Sequence, residues 1–160
     1  MNELLLYPDE FLYKLSKPVE IINLDIINIV DYMKDIMKIH NGIGLAANQI
    51  GSEYRICVIG IGTPTVMINP KIIRYSKSKK IYEEGCLSIP DIKVQVIRPE
   101  FIEVDYFNLD GNKISIEFSG IFSRIVQHEV DHLDGILMID RISEIKRNQI
   151  KNKLNKLIEL

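Results

Sequence analysis

The segment His128-Glu129-Val130-Asp131-His132 restricts the fold of this chain more than any other. Two imidazoles four residues apart meet at one point only on an α-helix, where positions i and i+4 share a face and Glu129 is carried beside them. Upstream, Ile121 and Ile125 continue the same stripe, which turns both histidines toward apolar surroundings. A buried imidazole needs a polar partner, and a metal ion is one way to supply it. The chain has only three histidines, and the third, His40, stands apart. The competing reading is a solvated or salt-bridged helix face, since Glu129 and Asp131 lie on the same helix.

Such a helix must be enclosed by other elements. At 160 residues, 46% hydrophobic and 26% charged, the chain suits one domain over residues 1–160. A helical turn is expected over 9–15. A longer amphipathic helix follows over 25–40, with Ile26, Ile29, Val30, Met33, Ile36 and Met37 on its apolar side and Asn41-Gly42 ending it. The period then changes to that of strands over 55–61, 65–69, 72–82, 93–97, 101–107 and 113–118, with a hairpin turn at residues 108–112. Connections this short exclude crossover helices, so the pairing should be mostly antiparallel. Helix returns from Ser119-Gly120 to Gly135, and a last helix runs over 143–160 with Ser143 as its N-cap. The expected fold is α+β: mostly antiparallel sheets around a central metal-binding helix, with an N-terminal and a C-terminal helix.

Composition removes several classes of function. A net charge of -2 and a pI near 5.9 argue against a protein that coats nucleic acid, and no sequence-specific nucleic-acid binding is expected. The N-terminal run Met1 to Pro8 lacks a basic region and is too short for a signal peptide or membrane span, so a cytoplasmic protein without membrane contact is expected. Two cysteines make no disulfide framework. Cys57, within Ile56-Cys57-Val58-Ile59, reads as a small core side chain.

Catalytic metal sites of this kind have three protein ligands and an open position. The extended motif with a third His after Gly135 fails, because Met138 occupies that place. Glu144 and Glu159 are acidic alternatives outside any recognisable motif. In Glu84-Gly85-Cys86-Leu87-Ser88, a Cys between Gly and a Ser-x-Pro turn sits in irregular backbone where a thiolate can approach a metal. A third constellation, Gly42-Ile43-Gly44-Leu45-Ala46-Ala47-Asn48-Gln49, permits close backbone approach and offers the Gln49 amide; its simpler reading is a tight turn leading into the sheet.

These three segments, in this order, resemble the motifs of the peptide deformylase family, the third being Gln127 to Gly135. Tyr7-Pro8-Asp9, Pro18-Val19 and Val96-Ile97-Arg98-Pro99 agree as well, so the resemblance covers about residues 4–141. Asp91, where Gly is commoner, and Ser123, where Ala is commoner, are small departures. The resemblance implies Cys86, His128 and His132 as ligands of one divalent ion, Fe2+ first, with Zn2+, Ni2+ or Co2+ as substitutes. It implies removal of the formyl group from N-formylmethionyl peptides: metal-bound water attacks the formyl carbon, Glu129 is the general base, and the Gln49 amide with the Leu87 backbone N-H faces the oxyanion.

A methionine side chain calls for a narrow apolar slot, for which Ile43, Ile121 and Ile125 are the candidates. Backbone at Ile43, Gly44 and Gly85 is expected to bind the peptide by strand addition, and Arg98 to assist the peptide end or form a surface ion pair. The last helix carries Lys146, Arg147, Lys151, Lys153 and Lys156, and in related bacterial enzymes such a helix docks on the ribosome near the exit of nascent chains. A monomer is expected. The alternatives are a zinc metallopeptidase cutting ordinary peptide bonds and a non-catalytic, ribosome-associated metal-binding module.

Overall fold

The metal-motif helix forms where the spacing requires it. In the computed structural model, which describes residues 3–60 and 63–159, helix α2 spans Gly120–Leu133 and everything from Ser123 to Leu133 is buried. Gly135 ends it with φ of 72°, and a Cβ there would stand 2.4 Å from the Tyr13 carbonyl oxygen. Both the left-handed backbone and the close approach therefore demand glycine.

Two sheets enclose α2. The first has five antiparallel strands in the order β1 (Gly44–Ala46), β2 (Ile56–Ile59), β3 (Thr65–Tyr75), β6 (Phe101–Phe107) and β7 (Lys113–Ser119); the second is the hairpin of β4 (Lys79–Cys86) and β5 (Ile89–Pro99). Alternation along the strands sorts the core. Ile56, Val58 and Ile68 face helix α1 (Leu24–Ile39), whereas Cys57, Ile59 and Met67 face Ile125, Val126, Val130 and Leu133 of α2. Cys57 is thus core packing, and burial pushes its thiol far above the ordinary range. A third cluster joins Ile89, Ile92, Val94 and Val96 of β5 to Leu12, Leu137 and Leu154, which docks helix α3 (Glu144–Ile158) on the outside of the hairpin.

The α+β fold is as expected, with corrections in detail. The run over 72–82 is two strands, because Ser76 builds a corner: its hydroxyl donates to Ser78 O and accepts from the N-H groups of Glu100 and Phe101. Pro70 does not end the preceding strand. The β3–β6 ladder shifts register between Ile68 and Lys71, where Asn69 has φ of 54° and its side chain bonds both backbone groups of Val19; a bulge accommodates the missing N-H. Residues 44–46 form a short strand where a turn was expected, and β5 begins at Ile89 rather than at residue 93. Asp9, Asn23 and Ser143 cap a 3-10 turn (Glu10–Tyr13), α1 and α3 through their side chains. Of the sequence readings, those at Met1-Asn2, at Ile61 and at Leu160 lie outside the described residues. Among the described residues, no helix is long and apolar enough to cross a membrane.

Candidate active site

The β4–β5 hairpin brings Cys86 to the face of α2 that carries the histidines. A register shift after Gly85 turns the backbone there, and Cys86 Sγ lies 3.2 Å from His132 Nε2, which lies 3.3 Å from His128 Nε2. All three donor atoms fall within 4.8 Å of one another. A tetrahedral ion with bonds of about 2.3 Å to sulfur and 2.0–2.1 Å to nitrogen requires donor separations of roughly 3.6 and 3.3 Å. One thiolate and two imidazoles at these separations fit a divalent transition metal.

Behind the donors is a buried ion network. Glu84 Oε2 faces His128 Nδ1 at 3.1 Å, and Arg98 donates to both Glu84 oxygens at 2.7 and 3.0 Å. Arg98 also reaches Asp131 at 2.7 Å, which in turn accepts from Arg141. A carboxylate on Nδ1 fixes the tautomer that leaves Nε2 free for a metal. Burial opposes charge on His128, but Cys86 and Glu84 outweigh it and raise its pKa, whereas burial and the neighbouring His128 lower that of His132. A ligating nitrogen needs its lone pair, so any proton on His128 Nε2 would leave when a metal binds.

Glu84 also gives the protein an acid-sensitive linkage. Burial alone would raise its pKa, but His128 and Arg98 overcome that and hold it well below the carboxylate range. A depressed pKa contributes stability present above the unfolded value of about 4.3 and lost as pH falls through the folded value. Melting temperatures measured from pH 7 downward should drop below about pH 4, and Glu84→Gln should flatten that limb; an unchanged limb would remove Glu84 from the linkage.

Glu129 stands on the other side of the donors. It is 4% exposed, its Oε2 has no hydrogen-bond partner among the described residues, and burial pushes its pKa up to about 7. Gly44 makes room for it, since a Cβ on Gly44 would come within 2.3 Å of Glu129 Oε1. Gln49 is oriented by β1: the Ala46 N-H donates to its Oε1 at 2.9 Å, so its amide NH2 donates to Ser88 Oγ at 3.0 Å and faces Cys86 Sγ at 3.7 Å. A cleft of about 1170 Å³ opens onto this group, lined by Ile43, Gly44, Gln49, Gly85, Cys86, Leu87, Ile121, Ile125, His128 and Glu129, among others.

Ile125 is buried and Ile121 is 60% exposed, because the first turn of α2 overhangs the cleft rather than entering the core; the expected inward stripe begins only at Ile125. Arg98 corrects a second expectation. At 4% exposed it is outside the cleft lining, and it is neither a peptide contact nor a surface ion pair but the buried bridge between Glu84 and Asp131. Sequence reasoning gave no site role to Glu84, Arg124 or Ser88, and it read Asp131 only as part of a salt-bridged helix face, which its pairs with Arg98 and Arg141 bear out. The signal for Glu84 and Asp131 was available, because acids beside metal ligands in apolar segments need cationic partners.

Known proteins resemble this chain in sequence and in fold. The family model for polypeptide deformylase matches residues 1–148. The chain belongs to the peptide deformylase family. The peptide deformylase of Buchnera aphidicola subsp. Schizaphis graminum is 45% identical over 97% of this chain and 95% of its own length. That of Rhizobium meliloti is 42% identical, with 98% and 93% covered. Among solved structures, Plasmodium falciparum peptide deformylase in complex with inhibitor superposes with a TM-score of 0.92 at 38% identity, covering 98% of this chain and 99% of that one. Members of the deformylase family are enzymes that remove the formyl group from nascent peptides, and the Cys86, His128 and His132 cluster is this chain's candidate for the divalent metal of that reaction.

Proposed function

We propose that residues 1–160 form one catalytic unit that hydrolyses the formyl amide of N-formylmethionyl peptides, with Cys86, His128 and His132 holding the metal. The observation that carries this reading is the convergence of three metal-compatible donors, an unpartnered buried carboxylate and an oriented amide on one cleft. When bound, a divalent ion supplies Lewis-acid polarisation of the formyl oxygen and lowers the pKa of a water beside it. Glu129 accepts the proton of the attacking water and returns it to the leaving amine, releasing formate and a free N-terminus. Its burial keeps it a base near neutrality. The Gln49 NH2 and the Leu87 backbone N-H stabilise the developing oxyanion. Ala46 holds Gln49 Oε1 and so sets the orientation of the amide before charge develops, and the N-H that faces Cys86 Sγ is the one offered to the oxyanion.

The peptide lies between the free edge of β1 and Gly85, an arrangement supported by β1 being the outer strand of its sheet. The Ile43 carbonyl already accepts the Gly60 N-H at 2.9 Å, so the backbone groups of Gly44, which alternate in direction, point to the cleft. Ile43, Ile121 and Ile125 form the apolar slot for methionine. Mixed sulfur and nitrogen donors permit Fe2+, Zn2+, Ni2+ or Co2+, and the family resemblance puts Fe2+ first.

We place the protein in the cytoplasm as a monomer, and the exposed Lys146, Lys151 and Lys156 of α3 at the ribosome near the tunnel exit. Because Leu154 packs α3 into the core, deleting the helix would also damage the fold. Charge reversal of those three lysines is the cleaner test: it should release the protein from pelleted ribosomes while sparing turnover of free peptides, and unchanged pelleting would remove the docking role.

The catalytic assignment is tested by formate release from formyl-Met-Ala-Ser after anaerobic purification, with activity lost to a chelator and restored by Fe2+ or Co2+. Gln49→Ala should lower kcat by about 10²–10³, equivalent to about 2.7–4 kcal/mol of barrier, with the metal retained. Cys86→Ala should lose the metal itself, and full occupancy in that variant would exclude the thiolate as third ligand.

A further inference from the structure

The two halves of the ligand set lie on separate elements: His128 and His132 on α2, and Cys86 at the end of β4. Arg124 connects them. It lies one turn before His128 on α2 and is 6% exposed. Its Nη1 donates to Glu84 Oε1 at 2.5 Å and to Val96 O of β5 at 3.1 Å, and its Nη2 donates to Lys80 O of β4 at 2.8 Å. The guanidinium also lies over the Tyr82 ring, 5.0 Å from its centroid. One side chain of the histidine helix therefore grips both strands of the hairpin that presents the cysteine.

Its effect on Glu84 is specific. Oε1 is taken by Arg98 Nε and Arg124 Nη1, and Oε2 by Arg98 Nη2 and His128 Nδ1. Two guanidinium groups approach the carboxylate from different elements and fix its plane, which leaves one lone pair of Oε2 aimed at the imidazole. From these contacts we infer that Arg124 is a positioning residue for the metal centre: it sets the spacing between α2 and the β4–β5 hairpin and, through Glu84, the orientation of His128. Arg124 lines the cleft, but the inference requires no contact with substrate. It rests on the metal reading above. Lysine cannot reproduce the function, because an ammonium lacks the planar fork that spans a carboxylate and two carbonyls.

The test is Co2+ affinity by chelator competition, together with the visible and thiolate charge-transfer spectrum of the Co2+-loaded protein, for wild type, Arg124→Lys, Arg124→Met, Glu84→Gln and the double variant Arg124→Met/Glu84→Gln. Removing an outer support of a ligating histidine typically costs about 10- to 100-fold in metal affinity, and Arg124→Met should fall in that range with an altered spectrum. Arg124→Lys should be intermediate. In the Glu84→Gln background the Arg124→Met loss should shrink, since both changes cut the same path. Arg74→Met, which removes an exposed arginine paired with Glu103 and Glu117, should leave affinity and spectrum unchanged. A wild-type dissociation constant and spectrum in Arg124→Lys would overturn the inference, as would full additivity with Glu84→Gln. A wild-type protein that binds no Co2+ through its thiolate would instead overturn the metal reading, so the two failures are distinguishable.

Discussion

Glu129→Gln should keep the fold and the metal and lose kcat/KM for formyl peptides by about 10²–10⁴-fold, the usual contribution of a positioned acid-base group. Glutamine has nearly the same shape, so it fits the space between β1 and α2 that Glu129 fills, and it removes only proton transfer. The carboxylate it replaces has an unpartnered buried oxygen and a pKa raised to about 7, so this is an ionisable group kept in place at an energetic cost that packing alone does not explain. That cost has a sign. A carboxyl whose folded pKa is raised contributes stability below its unfolded value that is lost as pH rises through the folded value, near 7. Metal-free Glu129→Gln protein should therefore melt higher than metal-free wild type above pH 7, while being the poorer catalyst. Steady-state kinetics, metal analysis and melting on the same preparations check all three, and robust turnover by Glu129→Gln would contradict the base assignment.

Gly44→Ala should be almost as damaging, through geometry alone. The added methyl would stand 2.3 Å from Glu129 Oε1, 2.9 Å from its Cδ and 2.9 Å from Ile125 Cγ2, all closer than van der Waals contact allows. Either the carboxylate is driven from its place or β1 moves off α2. Overpacking of this kind costs about 1–3 kcal/mol of stability, but the larger effect is on kcat, because displacing a catalytic group by about 1 Å can cost 10²-fold. The metal should remain bound, since the methyl touches no ligand. Gly42→Ala meets the end of one flexible side chain, Leu87 Cδ1 at 2.8 Å, and the middle of another, Met37 Cγ at 3.2 Å, and should be milder. Gly85→Ala meets only Lys93 Cγ at 3.8 Å, so any loss there should appear in KM rather than in stability. Equal kcat for Gly44→Ala and wild type would mean that Glu129 does not work from this position.

What could be read in the sequence follows from the range of the interactions. The i, i+4 imidazoles, the stop at Gly135, the cap at Ser143 and the alternation in β6 and β7 are local, so periodicity and residue type reveal them. The corner at Ser76 and the bulge beside Pro70 are settled by partners elsewhere in the chain: Glu100 and Phe101 for the first, Val19 and β6 for the second. Arg98 shows the same limit at the site. Local sequence suggested an exposed arginine at a strand end, but Glu84 and Asp131 converge on it from a neighbouring strand and from α2 and make it the buried bridge of the network. Ile121 fits the helical stripe by period and is exposed in fact, since periodicity gives the direction of a side chain but not where the helix leaves the core. Cys86 was legible as a thiolate able to approach a metal, and the family resemblance implied its partnership with the histidines; the β4–β5 hairpin is what places it beside them.

In the proposed function this cleft hydrolyses a formyl amide and leaves the peptide chain whole. The most direct test is mass spectrometry of formyl-Met-Ala-Ser and unformylated Met-Ala-Ser, each incubated with the Fe2+-loaded protein. The first should lose only its formyl group, with formate appearing in equal amount, and the second should be returned unchanged. Cleavage of a peptide bond in either, or no formate from the first, would contradict that function.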